Sequence, residues 1–508
     1  MYAPELDALY QASAVSNDGH PSLSINLQGS TEDTVKSIVA ASTEIDVNSL
    51  SPNADLFELG LDSLQVTAIA REINGFLSGR GKSQSIQART VYTNSSISAL
   101  TATVSALVEG RVPLKRGETD GQKIRNLYER YATNLPISGR QAQTRPSDGY
   151  VFLLTGSTGS LGSYILDSLQ RDPGVKRIYC LNRGPNGIKR QEKSLSSKAI
   201  QPLSGKVRCL DADLSKPYFG LSTSYYKELL AQVTHVMHNA WKVDFNLPLD
   251  SFASHVGIVR GFIDFSAHSR FGAELFFISS ISSVGNRVGL VGEQILEDWN
   301  TPEAMGYGQS KFVSELLLDT AVKEAGIPAV VCRVGQVAGP LSADGMWPKQ
   351  EWLPSLIASS KRLGKLPGSL GSVEAVDWIP VDILGKSIVE LAVHAQNTHK
   401  VGATVYHAIN PHRTSWGKLV PSVSRYLGLE SVSLETWVEA LRESASNTDD
   451  LSLNPAVKLL DFFGKLAGKT GEGILLSTDD TLNASQTLAH LEAVKEEWME
   501  NWLRQWAF

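Results

Sequence analysis

Cysteine is scarce in this 508-residue chain, which has three: Cys180, Cys209 and Cys332. Each lies in a short apolar run that reads as a buried strand, and no two have metal-ligand or redox spacing. A disulfide scaffold and a cysteine metal centre are therefore excluded, and a reducing, cytoplasmic compartment is expected. Also missing is any stretch of about 18 uninterrupted apolar residues. The start, Met1-Tyr2-Ala3-Pro4-Glu5-Leu6-Asp7, is acidic and has no apolar core, so neither a membrane partner nor secretion is expected. There is no long basic run. With 47 Lys and Arg against 53 Asp and Glu, the formal net charge is −6, which argues against a nucleic acid partner. The composition, 42% hydrophobic and 20% charged, suits two or three ordinary globular domains.

Four stretches follow one another. Residues 11–30 are rich in Ser, Asn, Gly and Gln and read as a linker. A helical unit is predicted over 31–110, with amphipathic spacing from Thr31 to about Ile45 (Val35, Ile38, Val39), from Ser63 to Leu77 (Leu64, Ile69, Ile73, Phe76) and from Ile97 to Val108. The stretch 111–147 is polar and broken by Pro113, Pro136 and Pro146, which predicts an interdomain linker with a short helix over Ile124–Tyr131. From 148 onward, apolar runs at 150–155, 177–182, 206–210, 234–238, 274–279 and 329–333 alternate with helix-length segments. That alternation predicts an α/β domain with a doubly wound parallel sheet. Its core is expected to end near residue 340, with a substrate subdomain mostly over 341–508.

Two strings stand out for their position. Asp55-Leu56-Phe57-Glu58-Leu59-Gly60-Leu61-Asp62-Ser63-Leu64 puts a Gly-containing turn and a serine at the start of an amphipathic helix. An ordinary N-cap has the same look. The second string, Thr155-Gly156-Ser157-Thr158-Gly159-Ser160-Leu161-Gly162, follows a strand and opens a helix, where glycines let a pyrophosphate approach the positive helix end. At the end of the next strand an NAD site usually offers a carboxylate, but this chain has Arg183, with Lys189 or Arg190 as support. A guanidinium there suits a 2′-phosphate and favours NADPH. Asp213 and Leu214 suit the adenine edge, and His238-Asn239-Ala240 closes the fourth strand near the cofactor.

Of the 14 tyrosines only Tyr307 has a lysine, Lys311, four residues later, on the same helical face. A neighbouring ammonium makes a phenol a better proton donor at neutral pH. The preceding strand ends in Ser279-Ser280-Ile281-Ser282-Ser283, which brings hydroxyls to the carboxyl edge of the sheet. Trp347, Trp352 and Phe245 are candidates to line an acyl or aryl pocket.

With these residues in place, 31–108 resembles the acyl- and peptidyl-carrier (thiolation) domains, and 148–508 resembles the extended short-chain dehydrogenase/reductases with their Ser/Thr-Tyr-Lys triad. His238-Asn239-Ala240-Trp241-Lys242-Val243-Asp244-Phe245-Asn246 and Val376-Asp377-Trp378-Ile379-Pro380-Val381-Asp382 look like the thioester reductase domains of nonribosomal peptide synthetases, carboxylic acid reductases and fungal adenylate-forming reductases. The resemblance implies 4′-phosphopantetheine on Ser63 and an acyl or aryl thioester cargo. It implies Ser280 as the triad serine, with Ser279 or Ser282 the fallback, beside Tyr307 and Lys311. Hydride from NADPH would give a hemithioacetal that collapses to aldehyde and thiol. Tyr2–Tyr10 looks like the tail of an adenylation domain, so an upstream adenylation domain and a phosphopantetheinyl transferase are the expected partners. Two competitors share the fold: a nucleotide-sugar epimerase or dehydratase, and a non-reducing release or cyclisation domain. The carrier serine argues against the first and Tyr307 against the second.

Overall fold

The computed structural model describes residues 30–43, 45–57, 59–61, 63–111, 119–136, 148–395, 401–445, 454–468 and 474–508, the side chains of Ser63 and Leu64 excepted. The expected adenylation tail and most of the first linker lie outside the described residues. The chain divides into two compact units. The first comprises Met1–Lys123 with the short segments Lys242–Ala253 and Met305–Tyr307; the second holds the remainder.

In the first unit, helices α1 (Thr31–Thr43), α2 (Ser63–Gly79), α3 (Ala88–Thr93) and α4 (Ile97–Val108) form a small bundle. The periodic positions point inward: Val35, Ile38, Val39, Ile69, Ile73, Phe76, Leu100 and Val104 are all buried. Helix α3 escaped the sequence reading because six residues are too few to show a period. It is placed by Phe57 and Tyr92, whose rings stack at 5.1 Å, and by Asn74, whose side-chain amide pairs with both backbone groups of Ile86 at 2.9 and 2.7 Å.

The second unit is built on seven strands, β1 (Tyr150–Thr155), β2 (Val175–Arg183), β3 (Val207–Ala212), β4 (His235–His238), β5 (Glu274–Ser280), β6 (Ala329–Val334) and β7 (Thr404–Ala408). They lie in the order β7-β6-β5-β4-β1-β2-β3, and every pair is parallel. Crossovers run through α6 (Ser160–Arg171), α7 (Gly187–Ser196), α8 (Thr223–Gln232), α9 (Ala253–His268) and α10 (Gly306–Ala325). Parallel strands buried on both faces need near-continuous apolar runs, and those runs are what made them legible. Strand β7 lies beyond residue 340, in the stretch expected to be mostly substrate subdomain. It is short and fully buried, and α12 (Val381–Ala395), after α11 (Trp352–Leu363), packs its Leu384, Ile388 and Leu391 into the same core as Ile165 and Leu169 of α6. The nucleotide-fold core thus reaches past the expected boundary, because a sheet face left bare by α6 alone is covered by a later helix.

Helix α5 (Asp120–Ala132) begins one turn before the predicted Ile124–Tyr131 helix. From Ile124 onward it belongs to the second unit. Tyr128 hydrogen-bonds Thr320 at 2.8 Å, and Arg125 lies over the Trp299 ring at 5.3 Å. Arg260 donates to the carbonyls of Tyr131, Thr133 and Asn134 at 2.9, 2.8 and 2.7 Å. This part of the predicted linker is therefore a docked helix. Among the described residues no helix is long and apolar enough to cross a membrane.

Candidate active site

Strand order reverses between β1 and β4, which opens the crevice where such sheets bind ligands. Thr155 ends β1 and is the Cα partner of His238 at the end of β4. Its Oγ1 accepts the N–H groups of Asn239 and Ala240, both at 3.1 Å. With both lone pairs used, the hydroxyl donates to Nδ1 of His238 at 2.8 Å, which makes His238 the Nε2–H tautomer. Burial pushes His238 well below the usual histidine range, and the Lys311 charge adds to that, so the ring is neutral.

The Gly-rich turn leads into α6, with Gly159 at the N-cap. A Cβ on Gly162 would stand 2.0 Å from the Gly156 carbonyl oxygen, so only glycine lets this turn close. Two residues that the sequence reading missed hold it from behind. Ser157 Oγ lies 2.9 Å from Asn182 Oδ1 and 2.6 Å from Gln191 Oε1, while Gln191 donates back to the Ser157 carbonyl at 3.0 Å. At the end of β2, Arg183 is exposed and Arg190 is turned onto the carbonyls of Arg183 and Pro185. Arg190 thus builds the turn and Arg183 faces solvent, with Lys189 exposed beside it. Asp213 accepts from the Ser215 hydroxyl at 2.6 Å, a bond that holds its carboxyl below the ordinary range, and Leu214 beside it is half-buried.

At the end of β5 the serines divide their duties. Ser279 is buried and gives its proton to Glu315, and Ser283 Oγ lies 2.6 Å from the same carboxylate oxygen. Ser282 donates to Ser280 from both its N–H (3.2 Å) and its hydroxyl (2.9 Å). Ser280 is half-buried, and with its acceptor sites taken it has its own proton left to give. Helix α10 carries Tyr307 in its first turn and Lys311 one turn on. Tyr307 is 9% exposed, with Phe245 edge-on at 5.3 Å and Phe252 at 6.3 Å. Lys311 is 3% exposed and donates to the Ile278 carbonyl at 2.7 Å. Burial pushes its ammonium well below the usual lysine value, while the Glu315 charge works the other way.

Glu315, Arg333 and His407 also escaped the sequence reading. Arg333 NH2 pairs with Glu315 Oε2 at 2.7 Å, and neither side chain is more than 1% exposed. Arg333 NH1 donates to His407 Nε2 at 3.2 Å, and His407 Nδ1 donates to the Ser477 carbonyl at 2.6 Å. The signals were present: Glu315 extends the Tyr307, Lys311 spacing by four residues, and Arg333 is a lone charge inside an apolar strand. Of the pocket candidates, Trp347 is core. It is 1% exposed and packed edge-on to Trp378 and Trp502, because the sequence there supplies several tryptophans that fill one another's gaps. Trp352 is half-buried and donates to Gln336 Oε1 at 2.7 Å, and Phe245 is 46% exposed. The three cysteines lie on strands as expected, but Cys180 and Cys209 prove to be direct partners on β2 and β3.

Residues 33–104 match the family described as the phosphopantetheine attachment site, and 154–388 match the family described as male sterility protein, an NAD-binding domain. The chain thus joins a phosphopantetheine attachment domain to an NAD-binding domain of the male sterility type. A carboxylic acid reductase of Neurospora crassa is 34% identical over the whole of this chain and 49% of its own length. The adenylate-forming reductase Nps10 of Heterobasidion annosum is 30% identical over 91% of this chain and 43% of its own length. This didomain thus spans about half the length of the curated relatives it matches. Its fold is shared with the terminal R domain of the myxalamid pathway (TM-score 0.64, 23% identity, 75% of this chain and 96% of that one). It is shared also with a thiolation–reductase di-domain of an archaeal nonribosomal peptide synthetase (TM-score 0.59, 18% identity, 97% and 99%). The cofactors of such a didomain are 4′-phosphopantetheine and NADPH. The Gly-rich cradle and the exposed Arg183 fit NADPH. For the pantetheine, Gly60 turns the chain at φ +102° just before Ser63, whose backbone opens α2.

Proposed function

We propose that this chain releases an acyl group, held as a thioester on Ser63, by NADPH-dependent reduction to an aldehyde. The observation that carries the reading is the union of an attachment domain with a reductase site in which Ser280 has a proton to give and α10 presents Tyr307 and Lys311 one turn apart. NADPH, when bound, supplies the hydride. Ser280 and Tyr307 donate hydrogen bonds to the thioester carbonyl, where negative charge develops, and Tyr307 delivers the proton to that oxygen. Lys311 favours the phenolate form of Tyr307 and holds the nicotinamide ribose. Thr155, Gly156, Ser157, Thr158, Gly159, Ser160, Leu161 and Gly162 would cradle the pyrophosphate, Arg183 the 2′-phosphate, Asp213 and Leu214 the adenine, and Asn239 and Ala240 the nicotinamide side. Phe245, set against Tyr307, would wall the cargo.

An adenylation domain that activates the acid, and a phosphopantetheinyl transferase that arms Ser63, complete the reaction sequence in the cytoplasm. The test is NADPH oxidation by protein loaded on Ser63 with aryl or aminoacyl pantetheine, with product identified by mass spectrometry. Acyl-dependent oxidation to aldehyde is expected in wild type and in neither Ser63→Ala nor Tyr307→Phe. Full loading without NADPH consumption for any cargo would overturn the reading.

A further inference from the structure

We propose that Trp241 is a positioning residue for Lys311: its indole face keeps the buried ammonium charged and in place for the cofactor ribose. The inference rests on the reductase reading of the site. The Lys311 Nζ sits 4.0 Å from the centroid of Trp241 and 4.6 Å from that of Phe277, while it donates to the Ile278 carbonyl at 2.7 Å. Tryptophan offers the strongest cation–π face of the aromatic side chains, and such a contact strengthens as water is removed. Here water is removed, since Lys311 is 3% exposed.

The ring is itself braced. Trp241 meets Phe277 edge-on at 5.4 Å, His255 of α9 at 5.1 Å and His238 of β4 at 5.9 Å. The charged and titratable groups around Lys311 divide in two. Glu315, one turn along α10, favours the ammonium, but it shares its carboxylate with Arg333, Ser279 and Ser283. Tyr307 lies one turn back on the same helix and carries no positive charge in any state that would oppose the ammonium. His238 and His255 carry no negative charge in any state, so neither can help. Burial works against the charge, and the aromatic face joins Glu315 in opposing it. The position also has a cost that suggests a use. Trp241 directly follows Asn239 and Ala240 at the carboxyl end of β4, beside the cofactor cradle, and leaves its buried indole N–H without a hydrogen-bond acceptor.

The experiment measures NADPH affinity of the full chain by nicotinamide fluorescence across roughly pH 6 to 10 for wild type, Trp241→Phe, Trp241→Leu and Lys311→Met. A charged Lys311 binds the ribose, so affinity is expected to fall on an alkaline limb as it deprotonates. Losing the aromatic face lowers the lysine pKa, so the limb in Trp241→Leu should move down by about one pH unit, with about tenfold weaker binding above the midpoint and little change near pH 6. Trp241→Phe should move it less, and Lys311→Met should lose the limb. A Trp241→Leu profile superimposed on wild type, a loss equal at every pH, or a limb that survives in Lys311→Met would each overturn the proposal. Acyl-dependent NADPH oxidation by the loaded wild type is measured separately, so a protein that binds NADPH with this limb but turns over no thioester would sink the reductase reading alone.

Discussion

The two units keep polar groups in opposite ways. Between residues 30 and 123 the only buried polar side chain among the described residues is Thr34. The second unit buries Lys311, Glu315, Arg333, His238, His407, Glu274 and Asp319. A carrier needs one reactive atom at the start of a helix, so its core is free to be apolar and its chemistry is separable from its stability. A reductase must bring a proton donor, a charge and an oxyanion site together away from water, where unpaired charge is expensive, so its chemistry and its stability share residues.

The sharpest test of that contrast is a pair of substitutions. Ser63→Ala should abolish pantetheinylation, read as the missing mass increment, and all turnover of carrier-bound cargo, while the melting temperature and the reduction of a free acyl-pantetheine stay near wild type. Tyr307→Phe should cost both substrates roughly 10²- to 10⁴-fold in kcat, the usual scale for a general acid, with NADPH affinity within a few fold of wild type. If Ser63→Ala also crippled the free thioester, the claim that the two chemistries are separable would fail.

What was legible in the sequence followed the same divide. Helices α1, α2 and α4 and six strands appear as periodic or continuous apolar runs, and Ser63, the Gly-rich turn and the Tyr307, Lys311 pair lie on local strings. The unread features are non-local. Glu315 meets Ser279 across 36 positions, Arg333 meets His407 across 74, and β7 reaches β6 from beyond a stretch without strand alternation. No window along the chain contains such a contact. Among the serines of 279–283, composition cannot choose, whereas hydrogen bonding can: Ser279 and Ser283 serve Glu315, and Ser282 serves Ser280.

Glu315→Gln sharpens the comparison from the reductase side. It leaves the Arg333 charge, which is fully buried, without its counter-ion, so denaturant unfolding of the second unit should show a loss of about 3–5 kcal/mol. The first unit should unfold as before. Ser279→Ala, which removes one hydroxyl from the same carboxylate, should cost about 0.5–1.5 kcal/mol. Acid should find the same network. Burial, then the Arg333 charge, lowers His407 from 6.5 to about 4. The unfolded chain therefore takes up a proton that the folded one refuses between those values. The His407 contribution is complete above about pH 6.5 and is lost as pH falls toward 4, on the order of 3 kcal/mol in all. Denaturation profiles of wild type and His407→Gln over this range should differ in slope; parallel profiles would place the acid sensitivity elsewhere.

The smallest expected effect concerns a residue that belongs to the reductase yet behaves like the carrier's serine. Arg183 is exposed, and its side chain is not the one that closes the β2 turn, since Arg190 does that. Arg183→Ala should therefore leave the melting temperature unchanged. It should weaken NADPH about tenfold, the scale of one charge-assisted contact to the 2′-phosphate, and leave the weaker binding of NADH as it was. The NADPH loss should shrink in high salt, because an exposed ion pair is screened. Equal losses for NADPH and NADH would mean that Arg183 shapes the turn rather than reads the phosphate. Function and stability would then be joined even at the exposed edge of this unit.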